Sequence, residues 1–159
     1  VHGTGQGTFA TIYATEQDGD VQFHVRWRTS SKGDLSKFYL PDAWIYFLID
    51  SYRKQTITIC TEYRRNNMIF RCHPNYQNGG PMYDWMQVYD RKKKTTYPAL
   101  LQAVVVHNEK TPQEQYELVV QPVHKETKRD SVLFKEWEVI PCSVIIDPEQ
   151  VVAPVFVIT

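Results

Sequence analysis

From Val21 to Arg28 the chain alternates strictly. Val21, Phe23, Val25 and Trp27 are apolar, and Gln22, His24, Arg26 and Arg28 are polar. A period of two puts each set on one face of a strand, so the segment predicts a half-buried β-strand. Phe9–Ala14 predicts a strand before it, and EQDGD at 16–20 supplies Asp–Gly turn chemistry that would join the two as a hairpin. Strands are predicted again over Thr56–Glu62, Met68–Cys72, Tyr83–Asp90, Ala99–His107, Gln115–Val123, Val132–Ile140, Ser143–Ile146 and Val151–Ile158. Asn66–Asn67, Arg91–Thr96, Asn108–Pro112 and Lys125–Ser131 read as the polar turns between them. Pro148 and Pro154 interrupt the tail and suit edge strands or a wrapping extension.

One segment breaks the period of two. In LPDAWIYFLIDSYR, Trp44, Phe47, Leu48 and Tyr52 fall at helical spacing. Pro41 fits a first helical turn, and Asp42 suits the positive helix N-terminus. A helix over Pro41–Arg53 is expected, with a buried strand over Trp44–Ile49 as the competing reading. Short connections between consecutive strands make the sheet antiparallel. The expected fold is mainly β: a single domain over 1–159, built as a bent barrel with added strands and one α-helix. Residues 1–8 read as a flexible start and 147–159 as a C-terminal extension.

Composition narrows the function classes. Lys and Arg number 18, as do Asp and Glu, giving zero net charge. That argues against a protein whose main task is coating nucleic acid, while leaving room for a local basic patch. No apolar run reaches the roughly eighteen residues of a membrane-crossing helix, so no membrane association is expected. The three cysteines, Cys60, Cys72 and Cys142, are odd in number and far apart. This is no secreted disulfide framework, so a reducing, intracellular compartment is the expectation. The start, VHGTGQGTF, has neither Met nor a signal pattern and reads as a cut within something larger.

The densest candidate chemistry is RCHPNYQNGGPMYDW at 71–85. Cys60, Cys72 and His73 are the soft ligands nearest one another, yet no C-x-x-C or H-x-x-x-H spacing exists, so no metal or other cofactor is expected. Cys72, His73 and Asp84 can be assembled on paper into a nucleophile, a base and an orienting acid. Adjacent residues on a strand point to opposite faces, however, so no catalytic residue is assigned. The aromatics offer more. Tyr76, Tyr83, Trp85, Tyr89 and Tyr97 gather around the loop and the next strand, with Asp84 among them. By period two, Tyr83 and Tyr89 share the face of Trp85. Such a face could line a pocket for a cation, methylated lysine included. Alternatively, Trp85 anchors the core and the tyrosines form its skin. Arg91, Lys92, Lys93 and Lys94 are either a solvated loop tip or a contact for anions, which Arg64–Arg65 and Lys125–Arg129 could join.

CHPNYQNGGPMYDW, the charged turn after it, TYPALLQAVV and the later IPCSVI resemble a recurring C-terminal region of large transposon-encoded proteins of fungi and algae. The resemblance spans about residues 35–150, with its specific part at 71–101; Met82 stands where that region usually has Trp. It implies a mobile-element or nuclear setting and no known reaction. The layout from the aromatic strand through YPALLQAVVVHN to QYELVVQPV also resembles an SH3-like barrel of the bromo-adjacent-homology (BAH-like) or Tudor type. That resemblance implies a reader of histone tails, other peptides or nucleic-acid surfaces. The expectation is therefore a non-catalytic recognition module of a larger, transposon-encoded or chromatin-associated protein. Its partner would be a protein or histone-like tail, with at most a weak nucleic-acid contact, in an intracellular and nuclear setting. One alternative is a capsid- or shell-like assembly domain that docks a neighbour through Val151–Ile158. Another is a hydrolase using Cys72 or His73.

Overall fold

A computed structural model describes residues 3–28, 35–52, 55–126, 136–139 and 142–155. Eleven strands form one branched antiparallel sheet. In chain order they are β1 (Thr4–Gln17), β2 (Asp20–Trp27), β3 (Ile57–Arg65), β4 (Met68–His73), β5 (Met82–Tyr83), β6 (Trp85–Asp90), β7 (Thr95–His107), β8 (Gln115–Glu126), β9 (Glu136–Val139), β10 (Val144–Ile146) and β11 (Val151–Val155). The helix α1 (Asp42–Ser51) lies between β2 and β3 in the chain. The mainly β, antiparallel class with one helix is as the sequence predicts.

Local chemistry explains the hairpins. Asp18 and Gly19 both take positive φ (53° and 86°), which gives a two-residue connection matched to strand twist. Asn66, at φ 56°, opens the equally tight turn between β3 and β4. Several boundaries differ from expectation. Thr4–Thr8 are not a loose start: Thr4, Gly5 and Gln6 pair with Arg64, Tyr63 and Glu62 of β3. Before α1 the chain makes a 3-10 turn, Leu35–Phe38, which sets Phe38 wholly in the core. Most of Val132–Ile140 and all of 156–158, expected as strand, lie outside the described residues.

Among the described residues the barrel does not close. Instead, β3 and β7 each change partner midway. Residues 57–60 of β3 pair with β7, but Glu62–Arg65 pair with β4. Trp85–Asp90 of β6 take up the other half of β7, Thr95–Leu100. Beyond the β3–β7 junction the sheet therefore forks into a β4–β5 branch and a β6–β11 branch.

The two faces of the sheet carry two cores. Cys60, Tyr63, Phe70, Cys72, Met86, Val88, Leu101, Val104, Leu118 and Val120 fill the inner one, between the branches. Phe9, Ile57, Ile59, Ala103, Val105 and Val119 meet Phe38, Trp44 and Leu48 in the outer one, beneath α1. Strands buried on both faces read as continuous apolar runs, as Ala103–Val106 does. The faces swap register at Gln102, where the β7–β8 pairing slips by one residue between Leu101 and Ala103. That buried amide is satisfied: its Nε2 donates to Gln121 Oε1, and the Ser143 hydroxyl donates to its Oε1.

Candidate functional site

The 71–85 stretch is the hinge of the fork. Cys72 pairs with Tyr83 and His73 with Met82, so 74–81 is a hairpin loop between β4 and β5. Gln77, Asn78 and Gly80 take positive φ, and the loop closes on itself. The Tyr76 N–H donates to the Gly80 carbonyl (2.8 Å), the Gly80 N–H to Asn75 Oδ1 (3.2 Å) and the Asn75 N–H to His73 Nδ1 (2.9 Å). Asp84 then bridges both branches. Its carboxylate accepts from the Arg71 N–H (2.7 Å) and its own N–H donates to the Arg71 carbonyl (2.8 Å), both on β4. Its carbonyl accepts from the Leu101 N–H (2.9 Å) on β7.

The six residues expected to form a ligand surface do not converge on one surface: Tyr83 and Tyr97 pack against the inner core, whereas Trp85 and Tyr89 lie on the opposite face of β6. Asp84 breaks the period of two, so Tyr83 and Trp85 do not share a face. Tyr83 packs against the inner core, donates its hydroxyl to the Lys37 carbonyl (3.0 Å), and has its phenol pushed up to about 12 by burial. Tyr97, opposite Val88, also packs inward, and burial raises its phenol. Met86 and Val88 fill the core from β6, whereas Trp85 is half-buried outside both cores and Tyr89 is exposed. Trp85 is thus not the core anchor. Tyr76 lies apart in the loop, under the Arg71 guanidinium (5.5 Å) and edge-on to His73. No ring contact joins any two of these aromatics among the described residues.

The basic run behaves differently residue by residue. Arg91 pairs with Asp147 (3.1 Å) on the surface. Lys92 and Lys93 donate only their backbone N–H groups, to Asp90 Oδ1 (2.9 and 3.1 Å), which shapes the turn. Their side chains and that of Lys94 are exposed at its tip.

Cys72 is fully enclosed, and burial pushes its thiol well up; Cys60 is likewise raised, to about 12. A protonated, enclosed thiol is a poor nucleophile. His73 faces the opposite way, edge-on to Phe9 of the outer core, and burial lowers its pKa. Among the described residues no three His, Cys, Asp or Glu side chains cluster as metal ligands, and no helix is long and apolar enough to cross a membrane.

Two concavities lie elsewhere. One, of about 240 Å³, has apolar walls that include Ile12, Phe23, Val25, Trp44, Ile45 and Leu48, and lies between the β1–β2 hairpin and α1. The other, of about 570 Å³, is lined by Gly3, Tyr63, Glu114, Tyr116 and the Asp147–Glu149 turn. Neither contains a residue from the 71–97 stretch. The second draws on four separate segments, and no spacing along the chain announces it. The one legible signal is DPEQ at 147–150. There a proline follows an aspartate, and Gln150 reaches back to accept the Asp147 N–H (3.0 Å), as short helical starts do.

No protein-family model matches the chain, and no curated protein or solved structure matches it significantly.

Proposed function

We propose that this chain is a non-catalytic recognition module that takes an extended, apolar protein segment as an added strand on β2. The observation that carries this is the free edge of β2 beside the apolar groove under α1. Among the described residues β2 pairs only with β1, without a bulge, and it contains no proline. Such an edge presents unpaired backbone donors and acceptors. An added strand would gain main-chain hydrogen bonds there and place alternate side chains into the groove.

The helix supports the same reading. Trp44 and Leu48 face the core, yet Tyr46 and Phe47 are 66% and 56% exposed, with Ile45 and Ile49 beside them. A helix apolar on every side is ordinarily covered. It bears Asp42 and Asp50 and no basic residue, which disfavours an anionic lipid surface as the cover. The resemblance to transposon-encoded C-terminal regions would place such a module in a mobile-element protein.

The second reading is self-assembly through the same edge, since two copies of β2 can pair antiparallel about a twofold axis. Capture of displayed random peptides on the immobilised chain tests the first, and sizing across a concentration series tests the second. Enriched peptides should alternate β-branched or aromatic residues, and the double variant Val25→Lys with Phe47→Glu should lose them while melting as the parent does. Concentration-dependent dimerisation lost in that variant would move the reading to assembly. Neither enrichment nor association in the parent would overturn both.

A further inference from the structure

The two faces of the β1–β2 hairpin differ in kind. Phe23 and Val25 line the apolar groove under α1, and Val21 and Trp27 share their face by period two. The other face carries Gln22, His24 and Arg26, set against Thr15, Tyr13 and Thr11 of β1, with Arg28 one position further on. Its side chains are already ordered. His24 stacks on Tyr13 with ring centroids 5.1 Å apart, and its Nε2 lies 2.7 Å from Thr15 Oγ1. The Arg26 guanidinium sits over the same Tyr13 ring, 5.4 Å from its centroid. Arg26 and Arg28 are both exposed, and no carboxylate pairs with either among the described residues.

The hydrogen-bond pattern fixes how a new strand would meet these faces. The Arg28 N–H donates to the Phe9 carbonyl (3.1 Å), and opposed residues in an antiparallel ladder alternate between bonded and non-bonded pairs. By that alternation the backbone groups of Gln22, His24 and Arg26 turn toward β1, and those of Val21, Phe23, Val25 and Trp27 turn toward the free edge. An antiparallel newcomer would exchange its main-chain bonds with those four apolar residues. Opposite His24 and Arg26 it would form the non-bonded kind of pair, with Cα atoms about 4.5 Å apart and side chains at their closest. An opposite charge stabilises such a pair, and a like charge destabilises it.

We propose, building on the reading that β2 accepts an added strand, that the partner strand alternates apolar residues with Glu or Asp. The apolar residues enter the groove under α1, and the carboxylates meet Arg26 and Arg28 on the other face. The Tyr13 ring beneath Arg26 limits the freedom that the guanidinium loses when a carboxylate takes it. Charge also separates this partner from a second copy of the chain. Each copy brings one acid on this face of β2, Asp20, against two arginines, so pairing two copies leaves an arginine of each without an acid.

Fluorescence anisotropy of labelled peptides on the full chain tests this. Three probes carry four Val–Glu, Val–Ser or Val–Lys repeats between Gly–Ser ends, and an oligothymidylate serves as the phosphate probe. At low salt the Glu peptide should bind about fivefold tighter than the Ser peptide, as two exposed ion pairs allow, and high salt should narrow the gap. The Lys peptide should bind weakest. Arg26→Gln with Arg28→Gln should bind the Glu and Ser peptides alike. Arg26→Glu with Arg28→Glu should reverse the order in favour of the Lys peptide, a swap that an unfolded variant cannot give. Amide hydrogen exchange locates the strand: the Glu peptide should slow Val21, Phe23, Val25 and Trp27 and leave Gln22, His24 and Arg26 little changed. Glu and Ser peptides that bind equally well to the parent and slow those four amides would overturn the acidic partner and leave the added strand standing. No binding by any peptide would overturn both. Glu-peptide binding that leaves the four amides unslowed would overturn the proposal and mark a surface for anions alone. So would an oligothymidylate that binds tighter than the Glu peptide and is lost with the two arginines.

Discussion

The stretch from Tyr76 to Tyr97 and the cleft around Tyr63 are built in opposite ways. The first holds its tyrosines, tryptophan and aspartate within a short length of chain, and the fold disperses them. Tyr83 and Tyr97 turn inward, Tyr89 turns out, and Tyr76 remains in the loop. The second draws Gly3, Tyr63, Tyr116 and Glu149 from distant segments and makes them neighbours. Alternation along a strand separates residues that are adjacent in sequence, while strand ends meet at the rim of a sheet. The two regions also differ in what their polar groups do. Asp84, Tyr83 and His73 are bonded to backbone groups of the chain itself. The Tyr63 hydroxyl is enclosed beside the Arg65 guanidinium and donates to no acceptor among the described residues.

That difference predicts opposite signs for two substitutions. Asp84→Ala removes the carboxylate from the Arg71 N–H and loosens the fork where β4 and β7 diverge. An unsatisfied backbone donor costs about 1–3 kcal/mol, so thermal melting should fall by several degrees. Asp84→Asn, which keeps an acceptor oxygen, should recover most of the loss. Tyr63→Phe should leave melting level or raise it. Equal losses at both positions would show that the Tyr63 hydroxyl holds the fold together as firmly as the Asp84 carboxylate does, and the contrast between the regions would disappear.

The strands and helix were legible because each has a clean period. Val21–Arg28 alternates, Trp44 and Leu48 repeat at helical spacing, and Asp18–Gly19 makes the tight turn its chemistry demands. The fork was not legible. It depends on β3 and β7 exchanging partners midway, which is a property of pairing between distant segments and not of either strand. The face swap at Gln102 was hidden for the same reason, inside a run apolar on both faces. Asp84 shows how this misleads a reading of the site. One residue of irregular backbone between β5 and β6 is enough to turn Tyr83 inward, away from the face of β6 that Trp85 and Tyr89 still share.

Alkaline pH should strain both regions together, by an intermediate amount. Cys60 rises from 9.0 to about 12, and Tyr83 and Tyr116 rise from 10.0 to about 12, in each case chiefly because burial disfavours the anion. The unfolded chain loses these protons first, so folding stability is full below pH 9.0 and declines as pH rises toward about 12. Thermal melts at steps from pH 7 to pH 11 should show a plateau and then a fall. Cys60→Ala, once its own cavity cost is measured at pH 7, should flatten the part of the fall that begins near pH 9. Tyr116→Phe should flatten only the part that begins near pH 10. A decline that begins below pH 8 would point to other groups.

The smallest effect should come from the exposed tip at the end of the aromatic stretch. Among the described residues Lys92 and Lys93 bond only through their backbone N–H groups, Lys94 is exposed beside them, and Arg91 is already paired with Asp147. Replacing the three lysines by Gln should leave melting unchanged. If the turn touches phosphates, retention on heparin at low salt should fall, and the log–log salt slope of nucleic-acid binding should shrink by roughly 0.9 for each phosphate no longer neutralised. An unchanged slope would leave the tip as a solvated turn shaped by Asp90. In that case the basic run would be shaped by Asp90 for the turn alone, and only the face of β6 that bears Trp85 and Tyr89 would remain as a surface of the 71–97 stretch open to a partner.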